Sequence, residues 1–141
     1  LLGVRLPENA GEDSVSLLSL LRGDGRPVRR HVVHHSIEGK FAIRDGAWKL
    51  VLCAGSGGWT APQDKQATRS GLPPVQLYDM ASDPGEKVNL VSQRPDVVDG
   101  LVKVLEQQVA AGRSTPGPSQ ANDVPVDIWK GVGLRPGSCD A

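Results

Sequence analysis

Three histidines, His31, His34 and His35, fall within five residues of a stretch that also holds Val32 and Val33. Imidazole changes charge near neutral pH, so such a cluster can move a proton or hold a metal. On an extended strand side chains alternate, so His31 and His35 share one face and His34 takes the other. Zinc needs three or four converging ligands, and only the histidines stand close together, so no metal site is expected here. The functional reading places His34 or His35 at the border of a substrate cleft. The plain reading is a strand whose histidines pack or hydrogen-bond at a domain boundary.

The second candidate is Ala54-Gly55-Ser56-Gly57-Gly58-Trp59. Its glycines permit close backbone approach, and Trp59 offers a flat face to a sugar or aryl group. As a phosphate cradle the run is weak. An ordinary mobile loop is the alternative, since the polar stretch runs on to about Pro74. Cys53 and Cys139 cannot make a zinc site alone, and they either pair in an oxidising compartment or stay free.

Composition narrows the partners. Lys and Arg total 16 and Asp and Glu total 16, so the net charge is zero. Neither nucleic acid nor an anionic membrane is expected as partner. No apolar run has the ~18 residues of a membrane-spanning helix. The 17 Gly and 11 Pro in 141 residues imply long connections between few elements. The chain opens on Leu1-Leu2-Gly3 and its one methionine is Met80. A piece of a longer protein is expected, with chemistry upstream.

The elements that would position these residues can be read in order. Asp13 or Ser14 caps a short helix carrying Val15, Leu17, Leu18, Leu20 and Leu21, ended by Gly23 and Gly25. Val28 to Ser36 is a strand. Phe41 to Cys53 is a hairpin around Asp45-Gly46, with Ile43 opposite Trp48 and Phe41 opposite Leu50. Phe41, Ile43, Trp48 and Leu50 share one face; Arg44 and Lys49 lie on the other, solvated or bridging to another domain. Val75 to Met80 is a further strand. Asp83-Pro84 sets a turn, and Asn89 satisfies loop backbone. Pro95 opens a helix with apolar residues from Val97 to Val109, and Gly112 stops it. Val124, Val126, Ile128 and Trp129 are possible anchors of an extended tail.

Together these residues carry a resemblance. HHSIEGKFAIRDGAWKLVL, a Gly-rich loop, LYDMASDPGEKVNL, a helix after RPDVV and then GRSTPG occur in that order. The set resembles the C-terminal subdomain of arylsulfatase-type sulfatases. The resemblance implies an alkaline-phosphatase-like catalytic domain upstream as this chain's partner, a sulfate-ester substrate, and a periplasmic or secreted location. It also implies calcium and a formylglycine made in a Cys/Ser-x-Pro-x-Arg motif. Neither cysteine here has that context, since Ala54-Gly55-Ser56-Gly57 follows Cys53 and Asp140-Ala141 follows Cys139. Asn122-Asp123 reverses the expected metal-binding order. No cofactor or catalytic residue is therefore expected in this chain, and His34, His35 and Trp59 are the expected substrate-lining residues.

The expected fold is α+β. A small antiparallel sheet of about four strands is covered by one long helix, with a short N-terminal helix and an extended tail. Residues 1–25 close the catalytic domain or connect to it, 26–112 form the sheet-plus-helix domain, and 113–141 form the tail. The rival readings are a free-standing carbohydrate-binding module, with Trp48, Trp59 and Trp129 as platforms, and a small metal-binding module. An independent module should bury the Leu17–Leu21 stripe, whereas a sulfatase piece should leave it exposed.

Overall fold

A computed structural model describes residues 7–132. The tail's Cys139 and its pairing lie outside them. Four strands pair in chain order into one antiparallel sheet: β1 (His31–His35), β2 (Phe41–Asp45), β3 (Trp48–Val51) and β4 (Gln76–Asp79). Three helices complete the fold: α1 (Leu18–Leu21), α2 (Asp64–Arg69) and α3 (Pro95–Ala111). The α+β architecture is as the sequence reading expects.

Helix α3 covers one face of the sheet. Pro95 occupies its first turn, where a missing N–H costs nothing, and Gly112 ends it with φ +62°. Val98, Leu101 and Leu105 recur at helical spacing and are buried. They meet Phe41, Ile43, Leu50, Leu52 and Leu77 from the sheet. Ile128 and Trp129 also enter this core, so the tail is anchored there. Val124 and Val126, the other two expected anchors, stay exposed.

The hairpin is present, but its register differs from the expected one. Asp45 faces Trp48 and Ile43 faces Leu50, so Gly46 and Ala47 form the two-residue turn. Gly46 has φ +58° and Ala47 is not in the positive region. Gly at the first central position is the type II′ pattern, whereas the expected Asp-Gly turn would be type I′. The new partners differ by two residues along one strand. Because the side-chain period is two, the expected faces survive the shift.

Two other expectations are corrected. The leucine-rich segment forms a single helical turn with no side-chain cap. Asp13 does not cap it, because its Oδ1 accepts from the Ser114 N–H at 2.8 Å. With no packed face, so short a helix has little to extend it. The stretch after Cys53 holds α2, with Ala67 fully buried.

The motif from Leu77 to Leu90 is a structural strap. The Glu86 N–H donates to the Asp83 carbonyl at 3.1 Å, closing the turn around Pro84. Asp83 Oδ2 accepts from the N–H groups of Lys87 and Val88 at 2.7 and 2.8 Å. Asn89 Oδ1 accepts from the Leu77 and Val91 N–H groups, both at 3.0 Å, and its Nδ2 donates to the Val75 carbonyl at 3.2 Å. The chain after β4 is thereby bound back along that strand's outer edge.

Segments far apart in sequence meet beside the end of α3. Thr115 N–H donates to the Glu12 carbonyl at 3.2 Å. Arg113 donates to the carbonyls of Thr115, Pro118 and Glu8. This gives the Arg113-Ser114-Thr115 segment a role that its sequence did not disclose.

Candidate substrate-facing surface

The sheet face turned away from α3 carries His34, Ala42, Lys49, Val51, Gln76 and Tyr78. Their alternation follows from the paired registers. Part of this face forms a depression of about 280 Å³ between His34, Lys49, Glu86, Gln76 and the loop at Gly55-Ser56.

Each wall has a structural cause. Glu86 holds φ +53°, rare outside glycine, within the arch that Asp83 braces. Its Oε1 accepts from Lys49 Nζ at 2.5 Å. Lys49 therefore pairs within this unit. The same bond joins the two sequence phrases that carry the family resemblance, one on β3 and one on the strap. Tyr78 Oη donates to Gln76 Oε1 at 2.6 Å, and Gln76 Nε2 donates to the carbonyls of Cys53 and Gly55 at 2.8 Å each.

The glycine loop is built into the fold. Gly55, Gly57 and Gly58 are buried. Asp64, in the first turn of α2, accepts at Oδ1 from the Gly55 and Gly57 N–H groups, both at 3.1 Å. Its Oδ2 lies 3.6 Å from Lys40 Nζ. The loop therefore presents Trp59 from a pinned base, with 86% of that residue exposed.

The structure places the three expected residues differently from one another. His34 lies on the depression's wall. Trp59 sits at the loop's outer end and does not line it. His35 also touches the depression's edge, but its ring turns to the other face, edge-on to Phe41 with centroids 4.1 Å apart. The partly shielded position of His34, followed by the Lys49 charge, pushes its pKa below the usual range, while Glu86 pulls it up. A neutral imidazole at pH 7 accepts a hydrogen bond or a proton more readily than it protonates a leaving group. Lys49, Glu86 and Gln76 were not expected as site residues. They are brought together by strand pairing and by a loop, which no local spacing reveals.

Cys53 lies behind this loop, 2% exposed, with Sγ donating to the Gly55 carbonyl at 3.2 Å. Burial, then the nearby Asp64 charge, pushes its thiol up to about 12 against an ordinary 9. At pH 8 its alkylation is expected to run on the order of a thousandfold slower in the folded chain than in urea, because the thiolate is the nucleophile. Iodoacetamide kinetics measure this; equal rates would show that the loop opens freely. The same shift fixes a sign. The unfolded thiol loses its proton first, so this contribution to stability is lost as pH rises from about 9 toward 12.

Two tryptophans of the rival binding-module reading are not free platforms. Trp129 is buried, and Trp48 carries the Arg94 guanidinium 5.0 Å above its ring. Among the described residues no three His, Cys, Asp or Glu side chains converge to hold a metal. Leu17 is 56% and Leu21 78% exposed, so the leucine stripe is not buried among the described residues.

The chain is similar to known proteins in sequence and in fold. The chain is 35% identical over 104 residues to an N-acetylgalactosamine-6-O-sulfatase of Bacteroides thetaiotaomicron, covering 72% of this chain and 19% of that protein. It is 32% identical over 137 residues to arylsulfatase A of Homo sapiens, covering 85% and 26%. A solved Bacteroides thetaiotaomicron structure, described as a 6S-sulfatase from a glycosaminoglycan-metabolising locus, superposes with a TM-score of 0.57 at 33% identity. That match covers 73% of this chain and 21% of the other. The chain is a sulfatase C-terminal subdomain. No protein-family profile matches it. The subdomain spans about a fifth to a quarter of the length of the curated relatives it matches. Among its described residues no helix is long and apolar enough to cross a membrane.

Proposed function

We propose that this subdomain buttresses the catalytic domain of a sulfate-ester hydrolase and forms one wall of its substrate cleft. The observation that carries the reading is the buried glycine loop, which Asp64 pins so that Trp59 stands almost fully exposed. An exposed indole on a rigid base is a stacking surface, which suits a sulfated sugar or an aryl sulfate. The neutral His34 imidazole, on the wall of the separate depression, accepts a hydrogen bond from a substrate hydroxyl. Lys49 is neutralised by Glu86 and so does not serve as the sulfate-binding cation. The exposed Leu17 and Leu21 supply apolar surface for the catalytic domain.

Calcium and formylglycine do not fit this chain. Cys53 is buried, protonated and outside the required motif, and no acidic cluster converges among the described residues. Both groups would belong to the upstream domain, where they supply the nucleophile and its activation. The reading also puts the parent enzyme in the periplasm or outside the cell.

The test compares this chain with the longer protein that carries it. With an aryl sulfate and Ca²⁺, the longer protein is expected to turn over and the 141-residue chain is not. Turnover by the chain alone would overturn the reading. In the longer protein, Trp59→Ala is expected to raise KM for bulky substrates about fivefold, since an aromatic stacking contact is worth roughly 1 kcal/mol, with kcat within about twofold. An unchanged KM for every substrate removes Trp59 from the cleft.

A further inference from the structure

The two edges of the sheet are finished differently. Residues 32, 34 and 36 of the first hairpin direct their backbone groups toward β2, as the Ser36 N–H to Lys40 carbonyl bond at 2.9 Å shows for that register. By alternation His31, Val33 and His35 direct theirs outward. Among the described residues none of those outward groups has a hydrogen-bond partner. At the opposite edge, β4 has been closed by its own chain. The Leu77 N–H donates to Asn89 Oδ1, the Leu77 carbonyl accepts from the Leu90 N–H at 2.8 Å, and the Asp79 carbonyl accepts from the Asp83 N–H at 2.8 Å.

Folded proteins blunt a free edge with lysine, proline, a bulge or a covering segment. β1 has none of these within His31–His35, whereas β4 has its strap. Alongside the free edge runs a groove of about 360 Å³ between β1 and the last turn of α3, with Val33, Phe41, Val109 and Val126 in its walls. An extended segment added to β1 would bond to the outward amides and set alternate apolar side chains into this groove.

We propose that the outer edge of β1 is completed by an extended strand from the rest of the sulfatase chain. The proposal rests on the buttressing role and says how the docking is made. Its occupant follows from two observations. Between about 74% and 81% of each curated relative's length lies outside the matched part, so ample chain exists to supply a strand. The exposed Leu17, Leu20 and Leu21 show that a second surface of this unit also awaits apolar cover. Seating the subdomain by backbone bonds fixes its orientation, because strand addition allows only discrete registers.

Residue-resolved amide exchange on the longer protein tests this. Val32 and His34, already bonded to β2, are the internal standard. Val33 and His35 are expected to be protected to a similar degree, at least about a hundredfold over an unstructured amide. Rapid exchange at Val33 and His35 beside slow exchange at Val32 and His34 would overturn the proposal. Protection that appears only as protein concentration rises would assign the edge to a second copy and overturn it too. Rotational diffusion separates this from failure of the buttressing role. A subdomain tumbling with the catalytic domain but bearing an unprotected edge refutes only the strand. Independent tumbling refutes the buttress as well.

Discussion

Asn89→Ala is expected to lower the unfolding free energy of this subdomain by about 3 kcal/mol, because each buried polar group left unpaired costs roughly 1–3 kcal/mol. One side chain serves three backbone groups: the N–H of Leu77, the N–H of Val91 and the carbonyl of Val75. Leu77 is fully buried and Val75 is 2% exposed, so water does not readily replace the amide. A domain of this size has about 5–15 kcal/mol in total, so the loss is a large share of it. Urea titration measures the effect. Asn89→Asp retains the oxygen that accepts from Leu77 and Val91 but loses the donor to Val75, so it should fall between the two. A loss below about 0.5 kcal/mol for the alanine variant, the scale of an ordinary surface change, would show that the strap does not hold β4.

Gly55→Ala is expected to cost a similar amount, about 3 kcal/mol, at the upper end of overpacking effects. A Cβ at this position would stand 2.5 Å from the Pro62 carbonyl oxygen and 2.7 Å from the Asp64 nitrogen. Both are backbone atoms, so the segment entering α2 must move. Movement there also breaks the bonds from Gly55 and Gly57 to Asp64 and shifts the base of Trp59. In the longer protein the variant should therefore raise KM as Trp59→Ala does, although it leaves the indole in place. Gly100→Ala is the control of opposite sign. Its Cβ would meet nothing within 4 Å, and it lies inside α3, so it should stabilise by about 0.5–1 kcal/mol. Thermal and urea unfolding of the two variants should thus move in opposite directions. An unchanged midpoint for Gly55→Ala would mean that the loop relaxes at no cost.

Much of the architecture could be read from local pattern. The hairpin announces its faces because a period of two survives any even shift in register, and Ile43 and Leu50 lie on the buried side in both alignments. The exact partners could not be read, because they depend on whether Gly46 takes the first or second central place in the turn. Helix α3 is legible from Pro95, Gly112 and its apolar stripe. Helix α2 is not, because Ala67 is its one buried residue and leaves no stripe to detect. Trp59 was legible as a candidate because an aromatic residue after glycines has few local explanations. The neighbours of His34 were not, since Lys49 and Glu86 stand 37 residues apart and meet through an arch held in a strained conformation.

The clasp of Ser114 on Asp13 and Thr115 on Glu12 spans 101 and 103 residues of chain. Loop closure grows more costly only with the logarithm of length, so each doubling adds about 0.6 kcal/mol and so long a circuit is affordable. The clasp thus ties the segment before the sheet directly to the end of α3, and the chain beyond it turns back into the core at Ile128 and Trp129. A pull on residues 12–13 is therefore passed to the helix end without travelling through the sheet.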